Sequence, residues 1–378
     1  MTSREASDAD VHVREALELA TLAEGATQPN PMVGCVVVKD GAIVGRGWHA
    51  KAGGPHAETQ AIEEAGAASA GAILYVNLEP CAHHGRTPPC TERIVSAGIA
   101  CVVAAIGDPD PRVSGKGFAA LRSAGVEVHC GVHERDARAL NAPLFHWHET
   151  GRPWVSLKVA VTLDGQLAAS EGRSRWISNA ISRRHVHRLR RAHDAIWVGA
   201  QTWRKDAPRL TVRLEDREDA RRPAIVWTRT GELDPPSREH AERPVRLLLP
   251  ESAVAGARNG GWPDRALRPL PDRAGSLDVD EALGLLAAED LRSVLVEGGG
   301  ETFAAFLESG RSDRVYRYAS PVLVGARGAT PWVPRPAAQD PDCGWRFVES
   351  ACWELGPDRL RVGRFDSSET AEAPCSPD

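Results

Sequence analysis

His56 and Glu58 stand two residues apart, and Cys81 and Cys90 follow, each directly after a proline. One imidazole and two thiolates form a donor set suited to zinc. The thiolates offset the charge of the ion, and three protein ligands leave the fourth tetrahedral position to water. A water so placed can lose a proton near neutral pH and act as a nucleophile. Glu58 is not needed as a ligand. A carboxylate beside such a centre can take the proton of the water and pass it to a departing group. The residues alone leave two alternatives open, a structural zinc site and a pair of unrelated core cysteines, because motifs this short recur by chance. Three ligands with a carboxylate at hand, instead of four ligands, favour a catalytic site holding one Zn²⁺ per chain.

To work together, segments 56–58 and 81–90 must be brought into one place, and the apolar pattern indicates how. Val13, Ala16, Leu17 and Ala20 recur at helical spacing, with Gly25 as a stop. Residues 34–39 and 42–48 read as strands joined at Asp40-Gly41, a hairpin turn signal. Helices are predicted over 56–68, 91–97 and 118–123, and strands over 74–78, 100–106 and 126–130. Such alternation indicates an α/β layered sheet. His56 and Glu58 then lie at the start of a helix, and Cys81 and Cys90 flank the loop after a strand. Cys35, Cys101 and Cys130 fall on strand-like runs and read as small core residues. Cys343, Cys352 and Cys375 carry no ligand pattern.

Pro143, Gly151 and Pro153 among polar residues suggest a boundary near Gly151. This gives domains over 1–150 and 151–366, with a small polar tail over 367–378 expected to be disordered. The second domain restarts with a strand over 154–161. A helix over 179–192, strands over 195–198 and 224–227, loops over 235–244 and 256–271, and a helix over 279–288 follow. Residues 293–296 read as a strand, then Glu297-Gly298-Gly299-Gly300-Glu301-Thr302 turns into a helix. A helix start after a Gly turn offers backbone N–H groups to phosphate. No G-x-G-x-x-G follows a strand, so a Rossmann domain is not supported.

The chain has 378 residues, enough for two cores, with 42% hydrophobic and 26% charged residues and a formal net charge of −5. Residues 1–150 hold 12 Lys and Arg against 18 Asp and Glu, which argues against a nucleic-acid partner. The acidic start does not read as a signal peptide, and no apolar run is long enough for a membrane helix. Eight scattered cysteines point to a reducing, cytoplasmic setting. A homo-oligomer is compatible with the sequence and not indicated by it.

Longer segments carry a resemblance. Residues 28–35 (QPNPMVGC), 53–58 (GGPHAE) and 80–90 (PCAHHGRTPPC) resemble the deaminase half of the bifunctional deaminase–reductase family of bacterial riboflavin biosynthesis. Eight residues separate the two cysteines, more than in the generic P-C-x-x-C of zinc deaminases, and this wide loop is itself a feature of that family. Residues 158–165 (KVAVTLDG), 176–178 (WIS), 189–190, 194–196, 202–213 and 297–302 resemble the reductase half.

The resemblance implies a cytidine-deaminase-like three-layer α/β/α domain followed by a dihydrofolate-reductase-like α/β domain. It implies a small pyrimidine ribose-phosphate substrate and two cofactors, Zn²⁺ and NADPH. The first domain would remove the 2-amino group of 2,5-diamino-6-ribosylamino-4(3H)-pyrimidinone 5′-phosphate, with Glu58 as acid–base. The second would reduce the ribosyl to a ribityl side chain. By position, Asn30, His49, His83 and Arg86 would line the first pocket. Lys158, Ser174, Arg190, Leu210, Arg213 and Glu297 would meet the sugar phosphate. Ala160, Trp176, Thr202, Asp206, Gly299, Gly300, Glu301, Thr302, Phe303, Ala304 and Ala305 would meet NADPH. Leu163 and Leu295 read as core.

The chain departs from the family pattern in places. Asp110 stands where Asn is usual, and reads as a tolerated turn residue. Ala207 replaces the second polar residue of a D-[DN]-P loop, and residues 311–314 and 318–321 follow the pattern loosely. These departures keep one alternative open, a paralogue with an inactive or retuned reductase half.

Overall fold

The computed structural model describes residues 3–83, 88–168, 177–214, 217–219, 222–236, 243–273, 277–325, 327, 329–334 and 344–366. The chain divides into two compact units, Met1–Gly151 and Arg152–Asp378.

The first unit runs α1 (Ser3–Thr21), β1 (Gly34–Lys39), β2 (Ala42–Trp48), α2 (Ala57–Ala65), β3 (Ile73–Val76), α3 (Cys90–Ser96), β4 (Cys101–Ala104), α4 (Lys116–Ser123), β5 (Glu127–Cys130), α5 (Glu134–Leu140) and α6 (Ala142–Thr150). Its sheet has the order β2-β1-β3-β4-β5. β1 pairs antiparallel with β2 and β3, and β3, β4 and β5 are parallel. The sheet is covered on both faces. Cys35 and Val37 pack with Ile62, Ile94 and Leu121 on one side, while Val36 and Val38 pack with Val13, Leu17, Ala137 and Phe145 on the other. Alternating side chains on β1 thus feed two cores, which is why the strand reads as a continuous apolar run.

Helix α2 lies unusually close to the sheet. Its stripe Ala57, Ala61 and Ala65 is buried, and β2 meets it with glycines. A Cβ on Gly45 would lie 2.1 Å from the carbonyl oxygen of Ala61, and one on Gly47 would lie 2.1 Å from that of Ala57. Small residues on both partners let the backbones touch, and this contact fixes the helix start that carries His56 and Glu58.

The second unit contains β6 (Trp154–Val161), β7 (Gln166–Ala168), α7 (Ala180–Ala192), β8 (Ala195–Gly199), α8 (Ala200–Asp206), β9 (Val212–Leu214), β10 (Arg217–Asp219), β11 (Ala224–Trp227), β12 (Val245–Pro250), α9 (Val254–Asn259), β13 (Leu267–Leu270), α10 (Val279–Ala288), β14 (Ser293–Gly298), α11 (Gly300–Glu308), β15 (Arg314–Ala319), β16 (Thr330–Pro331), β17 (Arg346–Leu355) and β18 (Asp358–Asp366). The main sheet has nine strands in the order β13-β12-β11-β8-β14-β6-β15-β18-β17. It is parallel from β13 to β15 and antiparallel at β18 and β17. Ala195 and Trp197 of β8 face a core with α10 and α11, while Ile196 and Val198 face one with α8 and α9.

Several expectations are corrected. The first helix begins at Ser3, and Ala6, Ser7, Asp8 and Asp10 lie on its solvent face. The stretch before the boundary is not all loop but contains α6: Pro143 sits in the first turn, where no N–H is needed, and Gly151 ends the helix at φ 67°. The loop over 256–271 includes the edge strand β13, where Pro269 is tolerated. Cys130 is exposed at the end of the edge strand β5, so it is not a core residue. Leu163 is 64% exposed in a turn, whereas Leu295 is fully buried. The tail over 367–378 lies outside the described residues, as do Cys343 and Cys375.

Gly47→Ala should force α2 away from β2. The expected cost is about 2–3 kcal/mol, the scale of overpacking in a filled core. Urea unfolding of the variant measures it, and an unchanged midpoint would contradict the contact.

Candidate active sites

In the first unit, His56 is the residue immediately before α2, Glu58 lies in its first turn, Cys81 follows β3, and Cys90 opens α3. The Nδ1 atom of His56 is 3.1 Å from the Cys90 sulfur and 3.6 Å from that of Cys81. All three potential ligand atoms lie within 4.8 Å of one another. The Cys90 backbone N–H points at the Cys81 sulfur, 3.4 Å away. A hydrogen bond from Cys90, with help from His56, holds the Cys81 thiol far below its usual range. The Cys90 thiol is driven up by its hydrogen bond to Cys81 and by burial. Two adjacent buried sulfurs cannot both ionise unaided, and a divalent cation removes that conflict. The donor set therefore fits zinc, which the imidazole would meet through Nδ1, the nitrogen that faces the two sulfurs. The Glu58 carboxyl is buried against this cluster, and burial, then the Cys81 thiolate, raise its pKa.

Asn30 and His49 come together beside the centre. His49 Nδ1 is 3.0 Å from the carbonyl oxygen of Pro55 and must donate to it, which leaves Nε2 to accept from the Asn30 amide at 3.1 Å. Burial lowers the His49 pKa, so the ring is neutral. Both of its nitrogens are used within the protein. His83 is exposed on the loop after Cys81, and Arg86 and His84 lie outside the described residues.

Sequence reasoning missed three polar residues that set this site. Asn77 and Asn141 are buried. Asn141 bonds both backbone groups of Met32, and Asn77 bonds the carbonyl of Met32 and the N–H of Gly34. They hold the 30–34 segment in place. Glu79, buried two residues before Cys81, accepts from the backbone N–H groups of Asp108, Gly115, Gly117 and Phe118. For Asn77 and Glu79 the signal available was a polar side chain just after an apolar strand, whereas Asn141 joins α5 to α6. Asp110 does more than turn the chain. It accepts from the Arg112 backbone at 2.9 Å and from the Arg112 guanidinium at 2.5–3.0 Å, and those hydrogen bonds hold its pKa to about 2. Neighbouring Asp108 rises to about 6 through burial.

The second unit carries a cleft of about 320 Å³ lined by Lys158, Ala160, Arg190, Thr202, Asp206, Arg213, Glu297, Gly299, Gly300 and Phe303, among others. β14 is irregular between Val296 and Gly298 against β8, so Glu297 is the residue out of step. Such a bulge re-aims a side chain, and this one faces Arg190. Arg190 Nε and Nη2 bind the two carboxylate oxygens at 2.5 and 2.9 Å, while Nη1 donates to the Thr211 carbonyl. Burial would raise the Glu297 pKa, but Arg190, Lys158 and His187 hold it to about 2. Burial lowers the Lys158 pKa, and Glu297 counters it. Burial, Arg190 and Arg213 bring His187 down to about 4, so it is neutral at pH 7.

Other expected contacts are not at the cleft surface. Leu210 is buried at φ 51°, Thr302 and Ala304 are buried, Glu301 is exposed, and Ala305 packs on the core. Ser174 and Trp176 lie outside the described residues. The Gly turn is also tight for internal reasons. A Cβ on Gly298 would meet Thr202 Oγ1 at 3.2 Å, and one on Gly300 would meet Pro331 and Pro334 at 3.1 and 3.0 Å. Arg183, Val186 and His187 line the cleft with Arg190. Their i, i+3, i+4, i+7 spacing puts them on a single face of α7, a pattern legible in the sequence.

Residues 6–106 match the cytidine and deoxycytidylate deaminase zinc-binding region, and residues 153–358 match the RibD C-terminal domain. The chain is similar to riboflavin biosynthesis protein RibD of Bacillus amyloliquefaciens, at 40% identity over 84% of this chain and 85% of that one. It is similar to that of Aquifex aeolicus at 41% identity, over 83% and 87%. Among solved structures, Acinetobacter baumannii RibD superposes with a TM-score of 0.83 at 33% identity, covering 96% of this chain and all of that one. A Thermotoga maritima diaminohydroxyphosphoribosylaminopyrimidine deaminase/5-amino-6-(5-phosphoribosylamino)uracil reductase gives 0.82 at 34% identity, over 96% of this chain and 100% of that one.

Two outcomes follow from the cleft. Ala207 ends α8 at φ 38° and ψ 56°, a left-handed conformation that Asn and Asp tolerate better than Ala. Ala207→Asn should stabilise the protein by roughly 0.5–1 kcal/mol, read as a rise in thermal midpoint; a fall would contradict the strain. Glu297 has its pKa depressed from 4.5 to about 2, so its contribution is complete above pH 4.5 and is lost as pH falls toward 2. Between pH 6 and pH 3 this amounts to about 2 kcal/mol. The stability of Glu297→Gln should therefore vary less over that range than that of the wild type; parallel pH curves would rule the linkage out.

Proposed function

The chain belongs to the RibD family of riboflavin-biosynthesis proteins, and on that premise we propose how its own residues divide the work of a bifunctional deaminase and reductase. The carrying observation is the convergence of His56 Nδ1 and the sulfurs of Cys81 and Cys90 within 4.8 Å, with the buried Glu58 carboxyl against them.

The substrate is a diaminopyrimidine ribosylamine 5′-phosphate. His56, Cys81 and Cys90 would hold one zinc. Zinc, when bound, supplies the Lewis acidity that makes water nucleophilic at neutral pH. Glu58 accepts the proton that the water gives up and delivers it to the departing amine. Asn30, steadied by neutral His49, presents its remaining amide capacity to the base edge. The exposed His83 would supply a donor on the loop after Cys81, and Arg86 is assigned to the phosphate by the chemistry of its guanidinium. Ammonia leaves, and the ring becomes a uracil.

The second cleft takes the deaminated product with NADPH. NADPH, when bound, supplies the hydride for the ribose C1′. Arg213, with the cationic face of α7, suits the 5′-phosphate. Arg190 is tied to Glu297, so it orients that carboxylate near Lys158. Lys158 is the group best placed to hold or donate a proton as the ribose ring opens. Asp206, Thr202 and the turn at Gly299–Gly300 form the side of the cleft assigned to the nicotinamide nucleotide. Nothing in the cleft favours an inactive reductase half; the break at Ala207 strains a helix end and removes no cleft-lining group. A cytoplasmic setting, which keeps Cys81 and Cys90 reduced, agrees with this chemistry. Among the described residues, no helix is long and apolar enough to cross a membrane.

Mass-spectrometric product analysis tests the reading. Without NADPH, the wild type should release ammonia and stop at the uracil; with NADPH, the product should gain two hydrogens. Glu58→Gln should keep its zinc and still reduce pre-deaminated substrate, but deaminate at least 10²-fold more slowly. Undiminished deamination by Glu58→Gln would remove it from the acid–base role.

A further inference from the structure

A second group of metal-ligating side chains converges at the rim of the first unit. Cys101 opens β4, and Glu127 and His129 lie two apart on β5. Alternation along a strand puts Glu127 and His129 on one face. The parallel register pairs Cys101 with Glu127, so all three side chains leave the sheet on the same side. The Cys101 sulfur, a Glu127 carboxylate oxygen and a His129 ring nitrogen lie within 4.8 Å of one another. His129 Nε2 and Glu127 Oε1 are 2.8 Å apart.

We propose that Cys101, Glu127 and His129 form a second divalent-metal site, for zinc or an ion of similar softness. A thiolate and a carboxylate cancel the charge of the ion, an imidazole completes three protein ligands, and water takes the fourth place. Bonds of the usual zinc lengths put tetrahedral ligand atoms about 3.3–3.8 Å apart. The Glu127–His129 contact must therefore open by less than about 1 Å, and side-chain rotation supplies that. The ligands stand on two strands already hydrogen-bonded in register.

The site is open to the ion and separate from the His56 centre. Glu127 and His129 have side chains 67% and 32% exposed, and β5 is the edge of its sheet. Cys101 is half-buried against the core under α1. It pairs with Ile73 at the start of β3, whereas Cys81 follows the far end of that strand. The bound ion clamps the edge strand to its neighbour and stabilises the folded state by mass action.

The test counts metal on the full-length protein equilibrated with zinc held at fixed free concentration by a weak chelator. The wild type should carry two zinc ions per chain. His129→Ala and Cys101→Ala should each carry one, with deamination intact in His129→Ala. Adding zinc should raise the thermal midpoint of the wild type beyond that of either variant. With cobalt as the probe, a second thiolate charge-transfer band should be present in the wild type and missing in Cys101→Ala. One zinc per chain in the wild type, or two that persist in both variants, would overturn the proposal. A failure of the other centre reads differently, as metal retained in full by Cys81→Ser.

Discussion

A charge carried into a low-dielectric interior has to be met there, and both active centres of this chain are arranged around that constraint. In the first unit, two sulfurs and a carboxylate are packed side by side beneath a helix start. Alone they divide into one thiolate and one thiol, with the Glu58 pKa raised by burial. A divalent cation is what allows both sulfurs to ionise together. In the second unit the cation is a protein group. Arg190 grips Glu297 with two parallel hydrogen bonds, and Lys158 completes the field. Without the arginine that carboxylate would be an uncompensated buried charge.

The fold meets the constraint by close backbone approach in one unit and by an irregular strand in the other. Alanines on α2 against glycines on β2 bring His56 and Glu58 to the end of the sheet where Cys81 emerges. Asn77, Asn141 and Glu79 then use buried amides and a carboxylate to pin the surrounding loops to backbone groups. In the second unit the bulge in β14 turns Glu297 toward α7. A regular strand would keep it in the ladder's alternation.

Departures from the family pattern have local physical accounts. Asp110 is charged where the pattern has an amide, and the neighbouring Arg112 neutralises it. Ala207 occupies a left-handed position, which explains why Asp or Asn is the usual residue: their short polar side chains make that conformation less costly. The change touches the end of α8 and leaves Asp206 lining the cleft.

The zinc-ligand pattern, Glu58 and the alternation of strands and helices were legible in the sequence, because ligand chemistry and apolar period are local properties. The spacing of Arg183, Val186, His187 and Arg190 was legible too, since one helix face is a matter of counting. The neutral state of His49, the bulge at Glu297, the exposure of Leu163 and Cys130, and the meeting of Cys101 with Glu127 and His129 were not. Each depends on which segments lie side by side and in what register, and a one-residue shift in register reverses the face a side chain occupies. Residue type sets what a group can do; only tertiary contact sets whether it is buried, what opposes its charge and which neighbour it meets.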